Sequence, residues 1–129
     1  MNLIQIATAF RALNLYAHQA HHMCKGATFM QDHAFFGELY NFAEDSYDSL
    51  IERSIGINDG DPNLSEIITK ANDLLSSLND DFYSHCLGIS KEICDEINKI
   101  KNYDVGTLNL LQGIHDNLSV FIYKMQRRV

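Results

Sequence analysis

The chain has 129 residues, 46% of them hydrophobic and 21% charged, and its formal net charge at pH 7 is −7. This length suits one domain with a core of its own, so we expect residues 1–129 to form a single domain. The acidic balance argues against a nucleic-acid-binding domain, and no apolar run approaches the length of about 20 residues that a membrane-spanning helix needs.

Four stretches with apolar residues spaced three or four apart predict four amphipathic helices. They run from Leu3 to Ala20, from Phe36 to Ile51, from Leu75 to Ile100 and from Leu108 to Met125. Helices of about 20 to 27 residues are longer than the globular average and are typical of a four-helix bundle. No strand-like alternation persists for more than a few residues. The predicted fold class is therefore all-α, a four-helix bundle.

Turn signals separate the predicted helices. The stretch CKGAT ends the first helix, with Gly26 as the expected C-cap and Thr28 as the N-cap of the second. GINDGDPN ends the second helix, and NYDVGT separates the third from the fourth. Between Pro62 and Asn72, the stretch NLSEIITKAN predicts a short helix inside a long connection from the second helix to the third.

Four of the six histidines fall within HQAHHMCKGATFMQDH, on both sides of the first turn. His21 lies near the end of the first helix and His33 near the start of the second, so an antiparallel hairpin brings them to the same end. Neutral imidazole is a common ligand for iron, zinc and copper. The alternative is that both are hydrogen-bonded structural residues. The neighbouring His18 and His22 are expected to be surface or packing residues.

The second predicted helix is acidic between residues 32 and 52, where it carries no Lys or Arg. Glu44, Asp48 and Glu52 are spaced four apart and line one face, where like charges repel by roughly 0.3 kcal/mol per pair. A bound cation would relieve this repulsion, and the alternative is a solvated acidic face. Asp48 and Glu52 lie close to the apolar positions Leu50 and Ile51, which argues against a purely solvated role.

His33 and Asp48 cannot bind one ion within a single chain. They are 15 residues apart on one helix, which is about 22 Å along its axis. Two copies packed antiparallel about a two-fold axis would place His33 of one beside Asp48 and Glu52 of the other. A metal site built from these residues must therefore be shared between subunits. The intrachain di-iron pattern Glu-x-x-His is absent from the sequence.

These stretches resemble the ferroxidase signature of the Dps family of mini-ferritins. AHHMCKGATFMQDHAFF, followed by YDSLIERSIG, is similar to A-H-W-x-x-x-G-x-x-F-x-x-x-H-x-x-x-D followed by D-x-x-x-E-R. The residues at the family's spacing are His21, Gly26, Phe29, His33, Asp48, Glu52 and Arg53. The link from Pro62 to Asn72 resembles the family's extra helix, and YDVGTLNLLQGIHDNLSVFIYKM resembles its last helix, so the resemblance covers nearly the whole chain.

The resemblance implies a ferritin-like bundle that assembles into a dodecameric shell. Such shells oxidise Fe(II) at intersubunit sites, usually with hydrogen peroxide, and store ferric mineral inside. Asp48 and Glu52 of one subunit and His21 of its neighbour would hold the first iron. His33 of the neighbour would contribute to the second iron, and Glu52 could bridge the two. These four residues would form the catalytic set, with carboxylates as hard ligands that favour ferric iron.

Two positions depart from the signature. The aspartate expected four residues after the second histidine is Gly37, which removes a ligand and leaves a mid-helix glycine at a cost of about 1 kcal/mol. Glu38 is adjacent but lies about 100° around the helix, so it is a less favourable substitute ligand. The signature tryptophan is His22, which would either supply a replacement ligand or pack. These departures predict one strong iron position and one that is vacant or altered.

The departures leave two alternatives to a ferroxidase. One is a Dps-like shell with weakened catalysis. The other is a mononuclear protein that binds zinc or another divalent ion through His21, Asp48 and Glu52.

Binding to DNA or a membrane is not expected. The family's DNA-binding members rely on a flexible Lys/Arg-rich tail, whereas here the first helix begins within a few residues of Met1. Only Lys124, Arg127 and Arg128 cluster at the other end. The N-terminal stretch has no signal-peptide pattern. The cysteines fit no zinc spacing and predict free thiols in a reducing cytoplasm; they are Cys24, Cys86 and Cys94.

Overall fold

The computed structural model describes residues 1–76 and 81–129, and these residues form five α-helices and no strand. The helices are α1 (Leu3–Met23), α2 (Phe29–Gly56), α3 (Leu64–Leu75), α4 (Phe82–Lys99) and α5 (Val105–Arg128). The predicted all-α class is confirmed. Within the described ranges, no helix combines the length and the apolar character needed to cross a membrane.

The α1 helix is the centre of a helical bundle, because it contacts α2, α3 and α4. The α5 helix packs on α4 and also touches α2. The inward face of α1 is fully buried at Leu3, Ile6, Phe10, Leu13 and Ala17, as the spacing of its apolar residues predicts. Full burial of a large apolar side chain contributes about 1.5–3 kcal/mol, so this stripe is a main source of stability. The opposing helices add Phe36, Leu39, Leu50, Ile93, Leu111, Leu118 and Met125.

The first turn differs in detail from its prediction. The α1 helix ends at Met23 with Cys24 as its cap residue, so Gly26 is not the C-cap. Gly26 instead has a φ of +93°, in the left-handed region that favours glycine. Thr28 does precede α2, but its hydroxyl donates to the Asp32 carboxylate at 2.8 Å and does not cap a helix N–H.

The expectation that the third bundle helix begins at Leu75 is wrong. Leu75 is the last residue of α3, and α4 begins at Phe82, with the Asp81 side chain accepting from the first turn. Leu78, which also belonged to the predicted stripe, lies outside the described residues. Apolar residues at helical spacing continue across the boundary between α3 and α4. Periodicity alone therefore predicts one helix that includes the end of α3 and the whole of α4.

A buried carboxylate joins three helices at the end of the bundle where the first turn lies. Asp32 of α2 accepts hydrogen bonds from the Tyr83 hydroxyl at 2.6 Å and from the Arg128 guanidinium at 2.9 Å. The guanidinium also lies over the Tyr83 ring, 4.8 Å from its centroid. Together with Thr28, these residues form what we call the Asp32 cluster. It fastens the last turn of α5 to the first turn of α2.

The alkaline limit of stability should depend on Tyr83. Burial and the hydrogen bond to Asp32 raise the pKa of Tyr83 to about 12 from 10.0. As the pH rises through 10 the unfolded state loses its phenol proton first, so the free energy of unfolding falls between pH 10 and 12. Below pH 10 the contribution of Tyr83 to the free energy of unfolding is fully present. We expect Tyr83→Phe to flatten this fall in denaturant unfolding curves, whereas Tyr123→Phe, at an exposed position, should not. If the free energy of unfolding falls equally steeply between pH 10 and 12 in the two variants, Tyr83 is not the group responsible for the fall.

Candidate metal centre

The two histidines of the predicted site stack on each other across the first turn. Their ring centroids are 3.6 Å apart and their planes are inclined by 20°. The Nδ1 atom of His21 lies 2.6 Å from the carbonyl oxygen of His33, and the Nδ1 atom of His33 lies 2.8 Å from the carbonyl oxygen of His21. The predicted approach of the two residues is confirmed. The alternative role of both histidines, as hydrogen-bonded structural residues, is present as well.

These reciprocal hydrogen bonds determine which ring nitrogens stay free. A carbonyl oxygen only accepts, so both Nδ1 atoms donate, and the Nε2 atom of each neutral ring carries the lone pair. No hydrogen bond from any other described residue engages either Nε2 atom. Histidines that bind metals usually donate their other ring N–H to a carbonyl or a carboxylate in this way. When neutral, both rings therefore have the tautomer that a metal ligand requires.

Gly37 packs against the ring of His21. A Cβ atom at this position would lie 3.2 Å from Cε1 and 3.3 Å from Nδ1 of His21, closer than ordinary van der Waals contact. Even a methyl group would require the ring to shift by a few tenths of an ångström, and an aspartate would displace it further. The glycine thus makes room for the stacked position of His21.

The contact predicts different effects of alanine at two mid-helix glycines. Gly113→Ala should raise the free energy of unfolding by about 1 kcal/mol, because alanine favours the helix and nothing lies within 4 Å of the new Cβ atom. Gly37→Ala should gain less than half as much, because it disturbs His21. In a His21→Ala background the two substitutions should become equivalent, as measured by urea unfolding. If Gly37→Ala and Gly113→Ala stabilise the protein equally when His21 is present, the ring of His21 does not hinder a Cβ atom at position 37.

The predicted acidic face is partly neutralised. Glu44 forms an ion pair with Arg11 at 2.5 Å, and the guanidinium of Arg11 lies over the ring of Tyr47, 3.9 Å from its centroid. The three carboxylates spaced four apart therefore do not form one uncompensated row. The partner of Glu44 is on another helix, 33 residues away in sequence, where the local pattern could not reveal it.

Asp48 and Glu52 are both exposed, and neither makes a hydrogen bond or an ion pair with a described residue. The neighbouring Leu50 points into the core, so its proximity in sequence does not limit the solvation of the two carboxylates, contrary to expectation. In this chain they form a solvated acidic pair. They are available as ligands without loss of any contact within the described structure.

The four predicted ligands do not meet within one chain. The α2 helix is continuous from Phe29 to Gly56, so His33 and Asp48 stay about 22 Å apart along its axis. Among residues 1–76 and 81–129, no three His, Cys, Asp or Glu side chains come together in a group that could hold a metal ion. A centre containing His21, His33, Asp48 and Glu52 therefore requires two chains. We call it the shared centre.

The remaining candidate residues lie on the surface. Glu38 is exposed, and His22 is exposed with its ring centroid 4.6 Å from that of His18. Arg53 donates to the Thr107 hydroxyl at 3.3 Å and so links α2 to α5. The Asp32 cluster was not anticipated from the sequence, because Tyr83 and Arg128 are 51 and 96 residues away from Asp32.

No family model matches the sequence, and no curated protein matches it either.

Proposed function

We propose that this chain forms a ferritin-like, Dps-type oligomer that oxidises Fe(II) at the shared centre and stores ferric iron within its shell. The main support is the reciprocal hydrogen bonding of His21 and His33, which leaves both Nε2 atoms free of the described residues. The exposed carboxylates of Asp48 and Glu52 supply hard oxygen ligands. In this proposal α3 is the extra helix of the Dps-type bundle, and a dodecamer is the expected assembly.

Each residue of the shared centre has a separate role in the proposal. His21 of one subunit holds the first Fe(II), together with Asp48 and Glu52 of the partner subunit. His33 contributes to a second position, and Glu52 spans both. Nitrogen ligands suit Fe(II), whereas carboxylate oxygens stabilise Fe(III) more strongly, so this ligand set favours the oxidised product. Two Fe(II) ions supply the two electrons that reduce one hydrogen peroxide molecule, with two protons, to two water molecules.

The charge of the chain agrees with iron as the substrate. A formal net charge of −7 attracts cations and disfavours phosphate backbones. Arg128 is bound to Asp32, so the C-terminal basic cluster is reduced to Lys124 and Arg127, and DNA binding is not part of the proposal. The three cysteines are free thiols, which suits the reducing cytoplasm that we propose as its location.

A second candidate function is favoured by Gly37. Because His21 packs against this glycine, no side chain can contribute a ligand from position 37 without displacing the histidine. The second iron position consequently has fewer ligands than the first. A mononuclear site for Zn²⁺ or another divalent ion, or a shell with weakened catalysis, would follow from the same geometry.

The experiment that separates these functions is an anaerobic Fe(II) titration of the oligomer after its size has been measured by light scattering. A pulse of hydrogen peroxide follows, and ferric product is recorded optically. Saturation at about two irons per chain with fast oxidation, as in di-iron carboxylate bundles, is the result that the ferroxidase proposal requires. Saturation at about one iron with slow oxidation would favour the mononuclear site. A monomer that binds no iron would contradict both functions.

A further inference from the structure

A second pair of imidazoles lies on α1, beside the shared centre. His18 and His22 are four residues apart, so both project from one face of the helix. Their ring centroids are 4.6 Å apart, with the planes inclined by 39°. His18 is half-buried and His22 is exposed, and neither ring makes a hydrogen bond with a described residue. The two rings are therefore adjacent, accessible and free to bind a ligand.

The ring of His18 is held in position by the α1–α2 contact. It stacks on the ring of Tyr40 with the centroids 4.1 Å apart and the planes inclined by 16°. The carbonyl of Tyr40 in turn accepts a hydrogen bond from the side-chain amide of Asn14 at 2.9 Å. A side chain that is already immobilised loses less conformational entropy when it binds a ligand. His18 is thus the pre-organised half of the pair.

We infer that His18 and His22 form a two-imidazole site for a divalent transition-metal ion of the Zn²⁺, Ni²⁺ or Cu²⁺ type. Two histidines four residues apart on one helix face are the arrangement that holds zinc in the H-E-x-x-H motif. Imidazole nitrogen suits these ions, and water completes the coordination at an accessible site. The inference goes beyond the iron function and does not depend on it.

The pair is distinct from the shared centre. His21 lies close by, but its ring centroid is 5.5 Å from that of His22 and 6.3 Å from that of His18, whereas the His18 and His22 centroids are 4.6 Å apart. The His18–His22 site draws both of its protein ligands from a single chain, so it is complete without a second subunit. His22 then serves as a ligand in this pair and not as a substitute at the position of the signature tryptophan.

The test is isothermal titration calorimetry of the metal-free protein with Ni²⁺, an ion that does not oxidise thiols. We expect His18→Gln and His22→Gln each to weaken one Ni²⁺ site per chain by at least about tenfold, because two linked ligands act together. The double variant should bind Ni²⁺ no more tightly than either single variant. X-ray absorption of the Ni²⁺-loaded variant with Asp48→Asn and Glu52→Gln, in which the shared centre is disabled, should show two imidazole ligands, and its melting temperature should rise with Ni²⁺.

Two controls make the outcome specific. His115→Gln, on α5, should leave the Ni²⁺ site intact, and so should Asp48→Asn combined with Glu52→Gln, which disables the shared centre. Retention of the site in either His18→Gln or His22→Gln would overturn the inference. Loss of the site in the Asp48/Glu52 variant would also overturn it, by showing that Ni²⁺ binds the shared centre, and would leave the iron proposal standing.

Discussion

Asp48→Asn combined with Glu52→Gln should slow the peroxide-driven oxidation of Fe(II) by at least about a hundredfold, since changes around a metal's ligands alone cost 10–100-fold. Both carboxylates are exposed and have no partner among the described residues, so the fold should tolerate the change. We expect the free energy of unfolding to change by less than about 0.5 kcal/mol. Stopped-flow absorbance of ferric product and urea unfolding measure the two effects separately.

A control with the same change in net charge separates ligand loss from bulk electrostatics. Asp45 on α2 and Glu92 on α4 are also exposed acids, and neither belongs to the shared centre. Asp45→Asn combined with Glu92→Gln should keep the oxidation rate within about twofold of wild type. The attraction of Fe(II) to charges distant from the shared centre is screened by salt. If this control is as slow as the Asp48/Glu52 variant, the two carboxylates are not iron ligands.

Asp32→Ala should lower the free energy of unfolding by about 2–3 kcal/mol, the largest stability effect that we expect at a polar position. The substitution leaves the Tyr83 hydroxyl and the Arg128 guanidinium without their carboxylate, and it removes an acidic group from the first turn of α2. Arg128 is partly exposed and regains water, which keeps the loss below that of a fully buried ion pair.

The Asp32 prediction is measured by urea unfolding with Asp116→Ala as the control. Asp116 is an exposed acid on α5, and its substitution should change the free energy of unfolding by less than about 0.5 kcal/mol. Arg128→Ala should reproduce part of the Asp32→Ala effect, because it removes one of the same hydrogen bonds. A loss in Asp32→Ala no greater than that in Asp116→Ala would show that the cluster does not hold α5 to α2.

The helices were predictable where one apolar stripe faces one core. The α1 stripe through Ile6, Phe10 and Leu13 is buried as its spacing indicates, because burial of apolar area is the dominant local signal. The break between α3 and α4 was not predictable from that signal. Leu75 continues the helical spacing, so the stripe carries no mark of the place where one helix ends and the next begins.

The approach of His21 to His33 was predictable from the sequence, but its detailed geometry was not. The position of His21 and His33 on the two arms of one turn indicated that they would meet. Their reciprocal hydrogen bonds, and the packing of His21 on Gly37, depend on side-chain rotamers that sequence spacing does not determine. The Glu44–Arg11 pair joins residues on different helices. The sequence pattern therefore could not show that Glu44 is paired while Asp48 and Glu52 are solvated.

In the proposed assembly, the shared centre takes His21 and His33 from one subunit and Asp48 and Glu52 from another. Its most direct test is to unfold and refold together equal amounts of two inactive chains. One carries His21→Gln and His33→Gln, and the other carries Asp48→Asn and Glu52→Gln. With random pairing across a two-fold axis, half of the pairs are mixed and each mixed pair regains one of its two centres.

We therefore predict that the refolded mixture recovers about one quarter of the wild-type rate of Fe(II) oxidation, while each chain refolded alone stays inactive. Native mass spectrometry of the mixture confirms that mixed oligomers are present. Mixed oligomers with no recovered oxidation would contradict a centre shared between subunits.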